Sequence, residues 1–180
     1  MFIIDPNFNY PKETESRVLI RFQDCDPLRH LNNAKYFDYF FNAREDQVPK
    51  IYGVEMREII KSFDAVWVVY NHHIAYLKPA NMAEWVRIVS RVIWYNNNTL
   101  VVEYCMFDDS KSYLKTLMWT TFKYVGMNTS RTVEHSEEVE AYLKAILYTG
   151  VEYHPAKFDE RVYHVKNETR SIFWFLEIED

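Results

Sequence analysis

Residues 21–36 read RFQDCDPLRHLNNAKY and join a short strand-like segment to a long amphipathic one. Residues 16–23 are rich in β-branched and apolar side chains, which predicts a strand. From Asn33 to about Tyr52, apolar residues recur at spacings of three, four and five, which predicts a helix of about five turns. Asn32 or Asn33 can cap this helix, because an asparagine side chain accepts hydrogen bonds from free helical amides. The polar stretch is therefore predicted to be a strand-to-helix connection.

Four further strands are predicted after this helix, separated by segments with turn-forming residues. Their regular spacing indicates an antiparallel meander, and one long helix against a five-stranded antiparallel sheet is an α+β layer arrangement. One face of the sheet is expected to carry residues 86, 88, 90, 92 and 94. Pro49 is expected to kink or end the long helix. The predicted strands are 65–77, 84–95, 99–107 and 113–125, the predicted short helices are 54–61 and 134–148, and the end of the chain, 171–180, is predicted to be strand-like.

The composition excludes several classes of protein. A chain of 180 residues with 48% hydrophobic residues can bury the core of one domain, so disorder is not expected. A net charge of -5 without a basic cluster argues against nucleic-acid binding. Only three glycines are present, and none forms a phosphate-binding loop. The N-terminus lacks the apolar run of a signal peptide, and no segment approaches the ~20 apolar residues of a membrane span, so we expect a soluble cytoplasmic protein.

Cysteine and histidine give no indication of a metal or cofactor. Cys25 and Cys105 belong to no CxxC motif, so two free thiols are expected. His72 and His73 are adjacent on a predicted strand, where neighbouring side chains point to opposite faces and cannot easily share one ion. We therefore expect neither a metal site nor a bound cofactor.

The connection itself carries groups that suit catalysis. A helix N-terminus presents unpaired amides and a partial positive charge, which can stabilise an oxyanion. Asp26 lies seven residues before Asn33 and could act as a nucleophile or as a general base on water. Together these groups indicate acyl transfer or hydrolysis. Aspartate, proline and asparagine are also ordinary turn and capping residues, so a purely structural role remains open from the residues alone.

The connection also resembles a known family signature. Asp24-Cys25-Asp26-Pro27, His30, Asn32-Asn33 and Tyr36 are similar to the motif of the 4-hydroxybenzoyl-CoA thioesterase-like family of acyl-CoA thioesterases. The resemblance covers roughly residues 16–148 and implies the hotdog fold, in which a five-stranded antiparallel sheet wraps a long central helix. Residues 1–15 would then be an N-terminal arm, and 149–180 a C-terminal extension packed on the same domain. The D-x-x-x-H-x-N-N core also resembles the plant acyl-ACP thioesterases.

The resemblance implies a role for each residue of the motif. Asp26 would be the catalytic carboxylate, and the backbone N–H near Asn33 would polarise the thioester carbonyl. His30 and Asn32 would shape the site or hydrogen-bond the substrate. Tyr36, one helical turn further on, would either contact substrate or pack in the core.

Two flanking residues of the motif are expected to be structural. Asp24 would order the turn. Cys25 alternates away from Asp26 along the chain and is expected to take no part in the chemistry.

The implied substrate is an acyl-CoA or a related acyl thioester, held between the subunits of a homodimer or of a dimer of dimers. Two positions depart from the family pattern. Arg29 stands where many members have glycine, so the loop is expected either to turn differently or to follow an acyl-ACP-like variant in which arginine is accommodated. The turn at 95–98 lacks the basic residues that would meet CoA phosphates, and Arg91, Lys123 and Arg131 are possible substitutes. An acyl-ACP thioesterase and a non-catalytic protein that binds an acyl or aryl ligand therefore remain as alternatives.

Overall fold

A computed structural model describes residues 8–176, and within this range five strands form one antiparallel sheet. Their order across the sheet is β1-β3-β4-β5-β2, which confirms the predicted α+β arrangement with a five-stranded sheet. β1 begins at Thr14, so two residues assigned to the N-terminal arm lie in the sheet. The strands are β1 (Thr14–Leu19), β2 (Ala65–Tyr76), β3 (Trp85–Tyr95), β4 (Thr99–Asp108) and β5 (Leu114–Gly126).

The position of β2 differs from the predicted meander. β3, β4 and β5 are consecutive neighbours, but β2 pairs with β5 at the far edge instead of with β3. The chain between β2 and β3 crosses one end of the sheet, where the Leu77 amide donates to the Lys115 carbonyl and the Ala80 carbonyl accepts from Leu31. Residues 77–84 are too many for a tight hairpin, which uses two to about five residues. The long link allows the crossing.

The long helix is α1 (Tyr36–Tyr52), preceded by a 3₁₀ turn at Asn33–Lys35. Its buried face, which includes Tyr39 and Phe40, packs against the sheet. Pro49 does not end the helix, contrary to one of the two expected outcomes. The helix ends instead at Gly53, whose φ of 65° is left-handed and whose amide donates to the Pro49 carbonyl.

Two apolar clusters lie on the two faces of the sheet. The inner cluster joins the sheet to α1, α2 (Met56–Phe63) and α3 (Glu137–Ile146), and the outer cluster joins it to α4 (Phe158–Leu176). Val86, Ile88 and Val92 face the inner cluster as predicted, but Trp94 packs on the outer side. The register shifts between Val92 and Trp94, and such a bulge turns the following side chains to the other face.

The end of the chain is helical where the sequence predicts a strand. α4 extends to Leu176, and residues 177–180 of the predicted strand lie outside the described part of the chain. Phe158, Val162 and Val165 recur at spacings of four and three, and this apolar stripe packs on the sheet. Packing of the stripe thus outweighs the β-propensity of the aromatic residues that follow it. None of the helices within residues 8–176 is long and apolar enough to cross a membrane.

Candidate active site

The motif folds into a small hairpin between β1 and α1. The Asn32 amide donates to the Asp24 carbonyl at 2.9 Å, and the Asp26 amide donates to the His30 carbonyl at 2.8 Å. The strands of this hairpin hold Asp26 across from His30, four residues later in the chain. The Leu31 amide ties the hairpin to the β2–β3 link at Ala80.

The Asp26 carboxylate has two different oxygens. Oδ1 accepts hydrogen bonds from the amides of Leu28 at 2.8 Å and His30 at 3.1 Å. Oδ2 has no hydrogen bond to a side chain or amide in the described residues, and the side chain is only half-buried. Two amides therefore fix the orientation of the carboxylate while leaving one oxygen available for chemistry.

Arg29 occupies the tip of this hairpin in a left-handed conformation, with a φ of 64°. Its amide donates to the Asp26 carbonyl, and its carbonyl accepts from Met82 at 2.9 Å. Glycine adopts this conformation without steric cost, whereas other L-residues do so at a cost of ~1–2 kcal/mol. Arg29 takes up this strained conformation itself, so the loop accommodates arginine at this position.

The N-terminus of the helical segment lies beside this loop. The Asn32 side chain accepts a hydrogen bond from the Ala34 amide at 3.0 Å, which confirms its predicted capping role. The Asn33 amide has no acceptor within the described residues, and the Asn33 carbonyl accepts from the Tyr76 hydroxyl at 3.0 Å. The side chains of Asn32 and Asn33 are exposed. This end of the helix therefore offers one unpaired N–H, held against the end of β2.

The remaining motif residues separate into half-buried and core positions. The His30 ring is half-buried, and its backbone forms an isolated bridge with Asn81. Tyr36 is 2% exposed, packs against Tyr76 at a ring distance of 5.1 Å and accepts a long hydrogen bond of 3.4 Å from the Ala80 amide. Of the two roles left open for Tyr36, this position fits packing.

Tyr39 of α1 contacts the motif through its hydroxyl, a role that the sequence does not reveal. Its hydroxyl donates to Asp24 Oδ2 at 2.9 Å and accepts from the Arg21 amide at 2.8 Å. Burial raises the pKa of Tyr39 to about 12, and Asp24 contributes to that rise. The hydrogen bond from Tyr39 fixes the Asp24 side chain, which agrees with the turn-ordering role expected for it. Only the spacing of Tyr39 from Tyr36, nearly one helical turn, could have indicated that it reaches the motif.

The Cys25 thiol stays protonated in this setting. It donates to the Arg21 carbonyl at 3.3 Å, and burial together with the charges of Asp24 and Asp26 raises its pKa. A thiol with a raised pKa is a poor nucleophile. Its position agrees with the structural role expected for it.

Arg91 does not join the motif. It lies on the outer face of the sheet, 9% exposed, and its guanidinium pairs with Glu103 at 2.8 Å and Glu13 at 2.8 Å. The ring of Tyr148 covers the same guanidinium at 4.4 Å. A phosphate would have to displace two carboxylates, so the prediction of Arg91 as a substrate contact is corrected to that of a buried ion-pair residue. Lys123, another expected substitute, donates to Thr99 Oγ1 at 2.7 Å.

A cavity of about 310 Å³ lies further along α1, between this helix and the sheet. We call it the α1 cavity. Its lining is mainly apolar, as is typical of sites for small apolar groups. Lining residues include Phe41 and Val48 of α1, Ile59 of α2, Val102 and Tyr104 of β4, and Leu143 of α3.

The histidines and acids do not converge on a metal site within residues 8–176. His72 faces α1, where its ring contacts Phe37 at 4.8 Å, and His73 contacts Phe158 of α4 at 5.6 Å. The two adjacent rings therefore lie on opposite faces of β2, as predicted.

Comparisons with known proteins place the chain among thioesterases. The sequence model of the thioesterase-like superfamily matches residues 20–171. No curated protein matches the sequence. Among solved structures, YbaW, a probable thioesterase from Escherichia coli, aligns with a TM-score of 0.66 and 19% identity over 74% of this chain and 98% of that chain. The DHNA-CoA thioesterase from Staphylococcus aureus aligns with a TM-score of 0.65 and 18% identity over 87% and 94%.

A third structure is the 12:0-ACP thioesterase from Umbellularia californica, with a TM-score of 0.71 and 14% identity over 82% of this chain and 55% of that chain. At these identities the structural likeness shows the fold, and it confirms the predicted hotdog fold. The superfamily match confirms the predicted family and the predicted class of enzyme, a thioester hydrolase.

Proposed function

This chain belongs to the thioesterase-like superfamily, and we propose that it hydrolyses acyl-CoA thioesters with Asp26 as its catalytic carboxylate. One observation carries the proposal. Asp26 has one oxygen fixed by two amides and the other uncommitted, and the same loop leads directly into an unpaired helix N-terminal amide at Asn33. A carboxylate and an oxyanion donor held in one loop can together carry out thioester hydrolysis.

The chemistry follows from these two groups. The Asn33 N–H donates to the thioester oxygen, and the positive end of the helix dipole favours the negative charge that develops there. Asp26 Oδ2 can take a proton from a water that attacks the carbonyl carbon; the carbon–sulfur bond then breaks, the acid is released and the proton passes to the leaving thiolate. Alternatively, Oδ2 attacks the carbonyl carbon itself, so that the thiolate leaves and a mixed anhydride forms. Water then hydrolyses this anhydride, which releases the acid, regenerates Asp26 and supplies the proton that the thiolate takes up. His30, across the hairpin from Asp26, would shape this site with Asn32.

Coenzyme A is the proposed carrier because a cation, Arg29, lies at the tip of the catalytic loop. Arg29 is exposed, and no carboxylate of the described residues forms an ion pair with it. A guanidinium of this kind suits phosphate recognition. The net charge of -5 weighs against docking of an acidic carrier protein. Arg29→Gln should therefore raise KM for acyl-CoA while leaving kcat nearly unchanged.

A homodimer formed through β2 is also proposed. β2 is an edge strand whose side chains Val68, Val69 and Tyr70 are 46%, 42% and 67% exposed. Long apolar edge strands are templates for pairing with another chain. Since Tyr76 of the same strand holds Asn33, a second copy paired on β2 would lie beside the proposed site. The outer face of the sheet is covered by α4, so we favour the dimer over a dimer of dimers built through that face.

The test is release of free thiol from short, medium, long and aryl acyl-CoAs by the purified protein. We expect turnover of at least one class. Turnover of acyl-ACP but of no acyl-CoA would overturn the choice of carrier. Binding of acyl or aryl ligands without turnover of any thioester would overturn the proposal and favour a non-catalytic binding protein.

A further inference from the structure

Tyr104 is a buried polar residue in the wall of the α1 cavity. The side chain is 0% exposed, and its hydroxyl has no hydrogen-bond partner within the described residues. Buried polar groups are almost always paired, and an unpaired one costs about 1–3 kcal/mol. The ring is fixed by Phe40 at 5.4 Å and Phe41 at 5.8 Å, so the hydroxyl cannot easily turn elsewhere. An unpaired group in such a wall requires an explanation.

Arg44 gives the same cavity a second hydrogen-bond donor group. Its guanidinium donates to Ser90 Oγ at 3.1 Å, and no carboxylate within residues 8–176 forms an ion pair with it. An arginine has five N–H donors, so most of its hydrogen-bonding capacity remains available. Burial raises the pKa of Tyr104 well above its ordinary value, while the charge of Arg44 lowers this pKa and the charge of Glu45 raises it further. Glu45 also lines the cavity but is exposed.

The cavity lies at a defined distance from the proposed catalytic loop. The ring of Phe41 contacts that of Tyr104, and Phe41 follows Asn33 by eight residues, which corresponds to about 12 Å along the helical segment. An extended chain advances about 3.5 Å for every three bonds, so about ten bonds separate the two levels. Phe37 and Phe41, one turn apart on α1, both contact His72 and lead from one level to the other.

We propose that the α1 cavity receives the acyl group, and that Tyr104 and Arg44 hydrogen-bond an oxygen about ten bonds from the thioester. The enzyme would then favour acyl groups that end in a hydroxyl or carboxyl over plain alkanoyl groups. This inference rests on the proposed thioester hydrolysis. Tyr104 acts as a neutral donor for either oxygen group, and Arg44 adds a charged interaction with the carboxylate.

The experiment compares kcat/KM for decanoyl-CoA, 10-hydroxydecanoyl-CoA and its analogue with a terminal carboxyl. Wild type should favour each oxygenated substrate by about tenfold or more, because a buried donor left unpaired penalises the plain chain. In Tyr104→Phe the preference for the hydroxylated substrate should fall to near unity. In Arg44→Met only the preference for the carboxylated substrate should fall. Tyr163→Phe, the same change at an exposed position of α4, should retain the wild-type ratios.

These experiments distinguish failure of the proposed ω-oxygen recognition from failure of the proposed thioester hydrolysis. If decanoyl-CoA is hydrolysed without a preference for the oxygenated substrates, or if Tyr104→Phe keeps the preference, the inference is overturned while the hydrolase stands. If no thioester is hydrolysed, calorimetry with decanoic and 10-hydroxydecanoic acid decides it. Tighter binding of the hydroxy acid by wild type, lost in Tyr104→Phe, supports the inference, and equal binding overturns it. Tyr104→Phe should also melt no lower than wild type, since the hydroxyl it loses has no protein partner.

Discussion

Removal of the Glu103 carboxylate should strongly destabilise the protein. Glu103 is 0% exposed and lies between the sheet and α4. Its two oxygens accept hydrogen bonds from Arg91 at 2.9 Å, from Arg161 of α4 at 3.0 Å and from the Trp119 indole at 2.9 Å. Burial alone would raise the pKa of Glu103, but the two guanidinium groups outweigh it and hold the pKa below its usual range.

The expected magnitude follows from this burial. Glu103→Ala leaves two buried cations without their shared counterion, and breaking a buried ion pair in this way costs about 3–5 kcal/mol of unfolding free energy. For a chain of 180 residues, each kcal/mol lowers Tm by ~2–4 °C, so the melting temperature should fall by roughly 6–20 °C. Thermal unfolding followed by circular dichroism measures this change.

Asp109 provides a matched control at the surface. It also bridges two arginines, Arg17 at 2.6 Å and Arg87 at 2.9 Å, but 38% of its side chain is exposed. Exposed ion pairs contribute little, so Asp109→Ala should lower Tm far less than Glu103→Ala. Equal losses in the two variants, or a loss under ~2 °C in Glu103→Ala, would refute the argument that a buried carboxylate fastens α4 to the sheet.

The pH dependence of stability tests the same interaction between Glu103 and the two arginines. Because the folded-state pKa of Glu103 is lowered, its contribution to stability is complete above the unfolded pKa of ~4.3 and is lost as pH falls through the folded pKa. Glu103→Gln should therefore lose less stability than wild type on acidification below about pH 5. An equally steep acid transition in both proteins would contradict this assignment.

Three further predictions concern the loop, the edge strand and a buried histidine. Arg29→Gly should raise the unfolding free energy, measured by chemical denaturation, by about 0.5–1 kcal/mol. This is the gain from relieving a left-handed residue, reduced by the extra entropy that glycine gives the unfolded chain. Arg29→Ala should bring no such gain, because alanine is as strained there as arginine. Tyr70→Lys should convert a dimer to a monomer in light scattering, whereas Tyr163→Lys, 66% exposed on α4, should not; a monomeric wild type would contradict the proposed interface. The His135 ring accepts a hydrogen bond from the Trp67 indole at 3.0 Å and donates one to the Asn96 carbonyl, and burial lowers the pKa of His135. The neutral ring therefore stabilises the fold above about pH 6.5, and this stabilisation is lost as the pH falls through the folded-state pKa. Between about pH 8 and pH 5, Tm should fall less in His135→Gln than in wild type, and an identical fall would show that this histidine does not set the dependence.

Elements with strong local periodicity could be predicted from the sequence. The predicted strand 65–77 is found at Ala65–Tyr76. The long helix, predicted to end at about Tyr52, ends at Tyr52 in the structure. Interactions between distant parts of the chain could not be predicted in this way. The pairing of β2 with β5 depends on hydrogen bonds from residues 77–84 to Leu31 and Lys115. The sequence of residues 77–84 alone does not indicate these distant partners.

The same distinction applies to the candidate site. Asp26 and Asn33 could be singled out because one short motif holds both. Arg91 was assigned to substrate because its partner Glu103 lies on another strand and Arg161 lies on a helix whose position the sequence did not reveal. The left-handed conformation of Arg29 was missed because residue identity alone argues against it.

The central claim, that Asp26 performs the chemistry, is tested most directly by kcat/KM of Asp26→Asn on the best acyl-CoA substrate. Asparagine keeps an oxygen for the amides of Leu28 and His30, so the loop and Tm should be preserved while the base or nucleophile is lost. We predict a loss on the order of 10²-fold or more with Tm within a few degrees of wild type. A kcat/KM equal to that of wild type in a folded Asp26→Asn protein would contradict the account.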